Sequence, residues 1–461
     1  MTRIALNWGG IKIAILVTLG ALISCLSAFI NKYPFVYPDT ASYIYSGFNG
    51  LVFDDRPIFY GLFLRHVSLH ESPWFVVFGQ SLILSYTIYL TFGMFFHGIR
   101  KNYLFISTIL FLAISTAFSF VAGILTPDVF TPITLLCFIN LLINKSLSKM
   151  NTVCLSIFFV IGICTQLSTL VILLFVFPIL GIIIFIRKRK LKSQMFDSKK
   201  ISLTFYLWLS CFLIIPGVHY AFSGRFVLSG AGHVFIMNHF LETGILSEYL
   251  NEECDSRNYK ICSYKDKLDW NFIWSEDSPV QKTGGWSANK QEYSKIIGDI
   301  LSRPKYLLKL SVAGIQYTVK QFFKFDTEVQ PAQLEGTQTF IQVGWRFKNT
   351  KASYASSLQN KNAWSLKWLN FAQWIVFIMS ILFILGLLFN RKLKDLINPE
   401  FRTSVALLFL FMVTSCFVCS NLSTIDARFQ SRLVWLFPMF ALIALYAYKE
   451  TIQLFSEKKP K

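Results

Sequence analysis

Residues 152–190 read TVCLSIFFVIGICTQLSTLVILLFVFPILGIIIFIRKRK. No charged side chain occurs from Thr152 to Ile186, and then four basic residues follow in a row, Arg187-Lys188-Arg189-Lys190. A membrane-spanning helix needs about 20 mostly apolar residues. The stretch therefore holds either two short spans joined by a tight hairpin near Cys164-Thr165-Gln166, or one long tilted helix. The distribution of basic residues decides between them. With a hairpin, the N-terminal end, Arg100-Lys101, Lys145 and Lys149, the run 187–200, the run 391–402 and the C-terminal tail all fall on one side of the membrane. With a single span, the strongest basic run moves to the other side. Cytoplasmic loops carry the excess of Lys and Arg, so the hairpin is the expected arrangement.

The same criterion, carried outward in both directions, gives about ten spans, at 9–30, 74–96, 103–124, 128–144, 152–166, 168–186, 201–218, 367–389, 402–420 and 433–448. The first span follows a short basic end (Arg3, Lys12) with no small-residue cleavage site after it, the pattern of an uncleaved anchor. Both termini are then cytoplasmic. The expected fold is an all-α polytopic membrane protein in three parts. These are a transmembrane core, 1–219, with a first outer loop at 31–73; a large outer region, 220–366; and C-terminal spans with a cytoplasmic tail, 367–461.

Composition agrees with lipid as a partner. The 461 residues are 54% hydrophobic and only 15% charged, with 47 Phe, whereas soluble proteins carry about 25% charged residues. The net charge of +19 would, in a soluble chain, point to nucleic acid. Here the basic residues sit in short runs between apolar segments, as cytoplasmic loops do, and no nucleic-acid partner is expected. Seven cysteines (Cys25, Cys137, Cys154, Cys164, Cys211, Cys416 and Cys419) fall in apolar segments, where Cys is a small hydrophobe. Cys254 and Cys262 alone lie in the long polar stretch, and a disulfide between them is expected if that stretch is outside the cytosol. The Asn/Asp/Ser/Lys-rich middle of this region, 251–290, predicts irregular structure. Arg303–Phe325 predicts a helix, with Pro304 in its first turn and a polar stripe of Lys305, Lys309, Gln316, Lys320 and Lys324. It rests either on the membrane surface or on the rest of the outer region.

Polar chemistry gathers at the outer face. Asp39 lies in Tyr37-Pro38-Asp39-Thr40-Ala41-Ser42-Tyr43, just past the first span, and Arg56-Pro57-Ile58-Phe59-Tyr60 follows it. Asp128 lies in Thr126-Pro127-Asp128-Val129-Phe130, at the outer start of the fourth span. Each acid stands beside a proline near a helix start, where a carboxylate also serves simply to complement the helix dipole. Outward arginines (Arg56, Arg225, Arg428, Arg432) suit phosphate, because the guanidinium fork meets two oxygens at once; interfacial snorkelling is the plainer role for each. Asp54-Asp55 is a candidate for a divalent metal, although two adjacent acids are fewer ligands than such sites use. His233 and His239 offer contacts to sugar hydroxyls or a metal, or sit in a polar loop. No Walker loop, dinucleotide fingerprint or zinc spacing occurs.

Taken together, Asp39, the Arg56-Pro57-Ile58-Phe59-Tyr60 stretch, Pro127-Asp128 and the late Asp426-Ala427-Arg428-Phe429-Gln430-Ser431-Arg432 resemble the GT-C superfamily of membrane glycosyltransferases. The nearest members are the bacterial protein-mannosyltransferase-like and aminoarabinose-lipid-A-transferase-like enzymes. That family has a second proline where this chain has Ile58. The resemblance is best over residues 1–190 and does not reach the region of Cys254, Cys262 and Trp274. It implies a polyprenyl-phosphate-linked sugar donor and a lipid, glycan or protein acceptor. Transfer would take place at the extracytoplasmic face of a bacterial inner membrane. Asp39 is then the base, Asp128 a second acid, and Arg56, Tyr60, Arg225, His233, Arg428 and Arg432 contact donor phosphate or substrate. A hydroxyl attacking an anomeric carbon needs a base. The phosphate leaving group needs cations more than an acid, so no glycosidase-like carboxylate pair and no cofactor is required. A lipid or sugar transporter or flippase, marked by repeats and mid-membrane charges, and a polysaccharide polymerase or ligase are the rival classes.

Overall fold

The computed structural model describes residues 8–191, 196–268, 271–331, 335–347, 350–390 and 398–457. Arg3, Lys192, Arg391-Lys392 and the tail Lys458-Lys459-Pro460-Lys461 lie outside the described residues. Among the described residues helix follows helix with no strand, save a single parallel bridge between Phe35 and Ile124.

Six described helices are long and apolar enough to cross a membrane: Pro73–Gly93, Leu167–Ile186, Ser198–Ser223, Lys367–Phe389, Pro399–Leu422 and Ala427–Ala447. Three shorter apolar helices, Gly9–Ser24, Pro127–Ile143 and Lys149–Thr165, stand with them. The long apolar run does break at Gln166, whose extended backbone (φ −146°, ψ 107°) separates Lys149–Thr165 from Leu167–Leu191. The Gln166 side chain accepts from the Thr131 hydroxyl at 2.7 Å, which fixes the break against the helix Phe130–Ile143. Gly162 lets those two helices close: a Cβ there would lie 2.1 Å from Thr134 Oγ1. Small residues at membrane helix contacts permit such approach.

Two expected spans are interrupted. The first, 9–30, stops at Ser24 and restarts as Leu26–Asn31 beyond Cys25. The third, 103–124, stops at Ser115; Thr116 is extended (φ −143°, ψ 175°), and a short helix Phe118–Gly123 follows. The amides freed at this break find side-chain acceptors, Ala117 N on Gln373 Oε1 and Phe118 N on Thr116 Oγ1. A break deep in the bundle requires such partners, because a buried amide without one is costly. Gln373 comes from a remote helix, so the local apolar pattern carries no sign of the break.

The large polar region, 220–366, packs around a core of its own. The helices Gly232–Glu242, Ile245–Glu253, Gly285–Ser302 and Pro304–Phe322 enclose a separate core that includes Met237, Leu246, Tyr249, Ile261, Phe272, Tyr293 and Tyr306. Between Glu253 and Pro279 the described backbone runs through turns, loop and one 3-10 stretch, Lys260–Lys267, in keeping with the expected irregular structure, but it is anchored to the core. Ile261, Phe272, Ile273 and Val280 are buried anchors, and the amides of Lys260 and Ile261 both donate to the Glu292 carboxylate. Cys254 and Cys262 are joined by a disulfide in the same stretch. The helix Pro304–Phe322 divides its faces. Lys305 and Lys309 pair with Glu248 and Glu252 of the outer region, and Gly314 packs under Asn421 of the bundle. Leu308, Ile315 and Val319 remain exposed.

Candidate functional site

The chain segments that lead to Asp39 and Asp128 run side by side. Phe35 N donates to Gly123 O and Leu125 N to Phe35 O, both at 2.9 Å. Each segment then meets a Pro-Asp pair that opens a helical turn. Pro38 begins the helix Pro38–Asn49, and Pro127 begins the turn Pro127–Val129 that runs into Phe130–Ile143. Proline suits the first turn because its missing N–H would have had no helical partner there. Thr40 ties the two turns together: its hydroxyl accepts from Tyr37 N at 2.9 Å and donates to Leu125 O at 3.0 Å.

A third element brings the cations. Asp426 caps the helix Ala427–Val434 by accepting from Arg428 N at 2.8 Å, and the Gln321 side chain holds Asp426 through both its carbonyl and its amide. Residues four apart share a helix face, so Arg428 and Arg432 point together. Arg428 Nη1 donates to Asp39 Oδ2 at 3.0 Å, and its Nε lies 3.8 Å from Asp128 Oδ2. Arg432 Nη1 donates to Asp128 Oδ1 at 3.0 Å. On the other side Arg56 Nη1 lies 3.1 Å from Asp39 Oδ1, and Arg56 Nε donates to Asp55 at 2.8 Å. Thr126 completes the set, donating to Asp128 Oδ2 at 2.7 Å.

The result is a line of alternating charge, Asp55, Arg56, Asp39, Arg428, Asp128, Arg432, that is neutral in sum. Its two ends differ. Asp128 and Arg432 are buried, at 5% and 0% side-chain exposure, whereas Asp39 and Arg428 are each 25% exposed. Burial acts to raise the Asp39 carboxyl, but Arg56 and Arg428 outweigh it and leave that group below the ordinary carboxylate value. Three N–H groups in the line, Arg56 Nη1, Arg428 Nε and Arg432 Nε, have no acceptor in hydrogen-bonding geometry. Arg428 also lies over the Tyr37 ring, 4.2 Å from its centroid, and Arg56 lies 5.1 Å from that of Tyr43.

A cavity of about 310 Å³ borders this line and is lined by Asp39, Asp55, Arg56 and Arg428, with Ser168 in its wall and Trp274 contributed by the outer region. Gln166 and Leu167 also line it, so the chain break in the long apolar run forms part of the cavity. A much smaller space, about 50 Å³, also borders Arg428 and is lined by Tyr37, Asp128, Thr327, Glu328 and Asp426.

The remaining sequence candidates lie elsewhere. Tyr60 is fully buried behind Tyr43, its hydroxyl donating to Gln80 Oε1 at 3.2 Å. Arg225 pairs with Asp54 at 2.8 Å, while Ser229 Oγ and Gly230 N bond the Asp54 carbonyl, so this pair clamps the outer region to the first loop. His233 faces the outer region's core and bonds the Trp286 carbonyl at 2.7 Å; it does not line the cavity. Asp54 and Asp55 are each taken by a different arginine, and no cluster of three His, Cys, Asp or Glu suited to a metal occurs among the described residues. Sequence reasoning missed Ser168 and the part played by Asp55 in holding Arg56. The break at Gln166 was the available signal for Ser168. No family model, no curated protein and no solved structure matches this chain.

Proposed function

We propose that the protein is an inverting glycosyltransferase that moves a sugar from a polyprenyl-phosphate donor to an acceptor at the outer face of a bacterial inner membrane. In this reading it has a GT-C-like fold with about ten crossings and both termini in the cytoplasm. The observation that carries the proposal is the meeting of Asp39 with Arg56 and Arg428 beside one cavity, backed by the buried Asp128–Arg432 pair, with Arg56 Nη1 and Arg428 Nε lacking an acceptor in hydrogen-bonding geometry. Phosphate oxygens are suited to fill those places.

The donor phosphate binds at Arg56 and Arg428. Both cations, each already shared between two carboxylates, then have a third anion to serve, so their hold on Asp39 weakens and its carboxylate becomes a better base. The acceptor hydroxyl attacks the anomeric carbon and its proton passes to Asp39. The bond from that carbon to the phosphate oxygen breaks, and the phosphate leaves with the electron pair, steadied by the arginines. A single displacement inverts the anomeric centre. Asp128, closed off by Arg432 and Thr126, positions Arg428 rather than taking the proton. The test is incubation of purified protein with a panel of polyprenyl-phosphate sugars and candidate acceptors. Transfer with inverted anomeric configuration is expected; retained configuration, or lipid movement across vesicles without any transfer, overturns the reading.

A further inference from the structure

The proposed transfer uses the charged side chains of the cavity and leaves its aromatic ones without a task. Phe235 and Trp274, both from the large polar region, line that cavity. Trp274 is 59% exposed, so folding leaves much of the indole's apolar area uncovered. Its backbone is nonetheless held on both sides. Phe272 and Ile273, immediately before it, are buried in the region's own core, and Ser275 N donates to Asn271 O at 3.2 Å. Ser278 then caps the short helix Pro279–Lys282 by accepting from Gln281 N, and Val280 is buried. The rings of Trp286 and Phe235 meet the indole at 5.5 and 6.2 Å, inclined to it by 62° and 67°. Neither lies parallel to it, so neither covers an indole face by stacking. Exposure alone does not single out this residue. Trp345 and Trp368 are more exposed still, but neither lines the two described spaces that border Arg428.

Polar groups stand in the same cavity. Ser168 lines it, and the Ser168 hydroxyl has no hydrogen-bond partner among the described residues. An open aromatic face beside a free hydroxyl calls for a ligand with a flat apolar side and a polar rim. A sugar ring has both: its C–H groups make one apolar face, and its hydroxyls project from the edge. The indole face carries the negative side of the ring quadrupole and attracts C–H groups, which are slightly positive. Small-ligand sites combine aromatic walls with a few placed polar groups in this way.

The direction of approach assigns the ring. A lipid-linked donor reaches the cavity from the bundle, where Val171, Val418 and Leu422 line it. Trp274 stands on the polar region outside the bundle. We infer that Trp274 is a stacking platform for a sugar ring of the acceptor, and that the acceptor is therefore a glycan. The inference rests on the lipid-phosphate donor of the proposed function and adds the acceptor class.

The experiment uses the purified full chain in an amine-oxide detergent, because maltoside detergents present sugar rings of their own. Binding to arrays of bacterial-envelope oligosaccharides and of Ser- and Thr-containing peptides is measured without donor. The wild type is expected to bind oligosaccharide and not peptide. Trp274→Ala is expected to weaken that binding by about tenfold or more, Trp274→Phe to restore most of it, and Trp345→Ala to leave it unchanged. Unfolding is followed on the same samples; an exposed side chain predicts a wild-type midpoint for Trp274→Ala. Peptide binding in place of oligosaccharide, no oligosaccharide binding, or equal binding by wild type and Trp274→Ala would overturn the inference. A second measurement needs no variant. A photoreactive derivative of the bound oligosaccharide is expected to label the segment 271–278, and labelling confined to other segments would overturn the platform. The same oligosaccharide then serves as acceptor with a polyprenyl-phosphate sugar. Trp274→Ala is expected to raise KM for the acceptor and to leave KM for the donor unchanged; the opposite split gives the platform to the donor sugar and overturns the acceptor class. Trp274-dependent glycan binding without sugar transfer keeps the platform and rejects the glycosyltransferase; transfer indifferent to Trp274 does the reverse.

Discussion

Asp128→Asn changes almost no volume but removes one charge from the buried end of the line. Arg432 is fully buried and its short polar contact to Asp128 is at 3.0 Å. Its other contact is the Cys419 sulfur at 3.5 Å, a weak acceptor. The mutation therefore leaves a guanidinium in the bundle without a counter-ion. Removing one member of a buried pair costs about 3–5 kcal/mol. Asp39→Asn strands nothing comparable, because Arg56 keeps Asp55 and Arg428 keeps Asp128. Asp39 is also a quarter exposed, so the expected loss is about 1 kcal/mol. Equilibrium unfolding of both variants in one detergent measures the difference, expected to be at least about 2 kcal/mol. A further arm replaces both members, Asp128→Leu with Arg432→Met, and is expected to recover most of the loss, since apolar pairs of similar size often match buried ion pairs. Asp128→Asn unfolding within about 1 kcal/mol of wild type would refute the picture of an isolated buried pair.

Three further outcomes follow from the same geometry. Arg56 and Arg428 hold the Asp39 carboxyl down, so its contribution to stability is present above the unfolded value of 3.8 and is lost as pH falls through the lower folded value. The acidic limb of kcat/KM in the free protein should accordingly lie below about pH 4, and Arg56→Gln should move it upward; a limb that stays in place contradicts the Arg56–Asp39 coupling. Reducing Cys254–Cys262 should cost roughly 2–3 kcal/mol and expose residues 255–261 to protease; unchanged proteolysis would mean the disulfide does not order that segment. A membrane-impermeant thiol reagent added to intact cells should label Ser287→Cys and not Lys145→Cys, both exposed positions; labelling of Lys145→Cys would break the proposed topology.

The sequence carries the membrane class openly, and the helix break at Gln166 falls where a turn was expected, because an uncharged run ending in four basic residues has few arrangements. It also carries the charged residues that meet, since Pro-Asp pairs and arginines four apart are local patterns. Their pairing was not legible. Arg432 and Asp128 are joined by tertiary packing, and the cross-tie from Thr40 to Leu125 leaves no trace in either segment's pattern. The break at Thr116 was hidden for the same reason, because its acceptor is Gln373. The anchoring of 251–290 was masked by composition: four buried apolar side chains (Ile261, Phe272, Ile273 and Val280), a disulfide and one carboxylate that accepts two amides hold a stretch that is otherwise mostly polar. Tyr60 and His233 illustrate the opposite error, polar-tipped residues whose hydrogen bonds are satisfied inside the fold rather than in the cavity.

The central claim is that Asp39 accepts the acceptor's proton, and Asp39→Asn tests it most directly. Asn keeps the side-chain size, and Arg56 keeps Asp55 while Arg428 keeps Asp128, so a carboxylate that only pairs with those arginines would be replaced at a small cost in stability and with transfer largely retained. Loss of a general base typically costs about 10²–10⁴ in rate. Transfer from a polyprenyl-phosphate sugar should be measured for purified wild type and mutant under saturating donor, with unfolding followed on the same samples. The account predicts a folded mutant whose transfer rate falls by at least about a hundredfold with donor binding retained. A folded mutant that transfers sugar at a near-normal rate would contradict it.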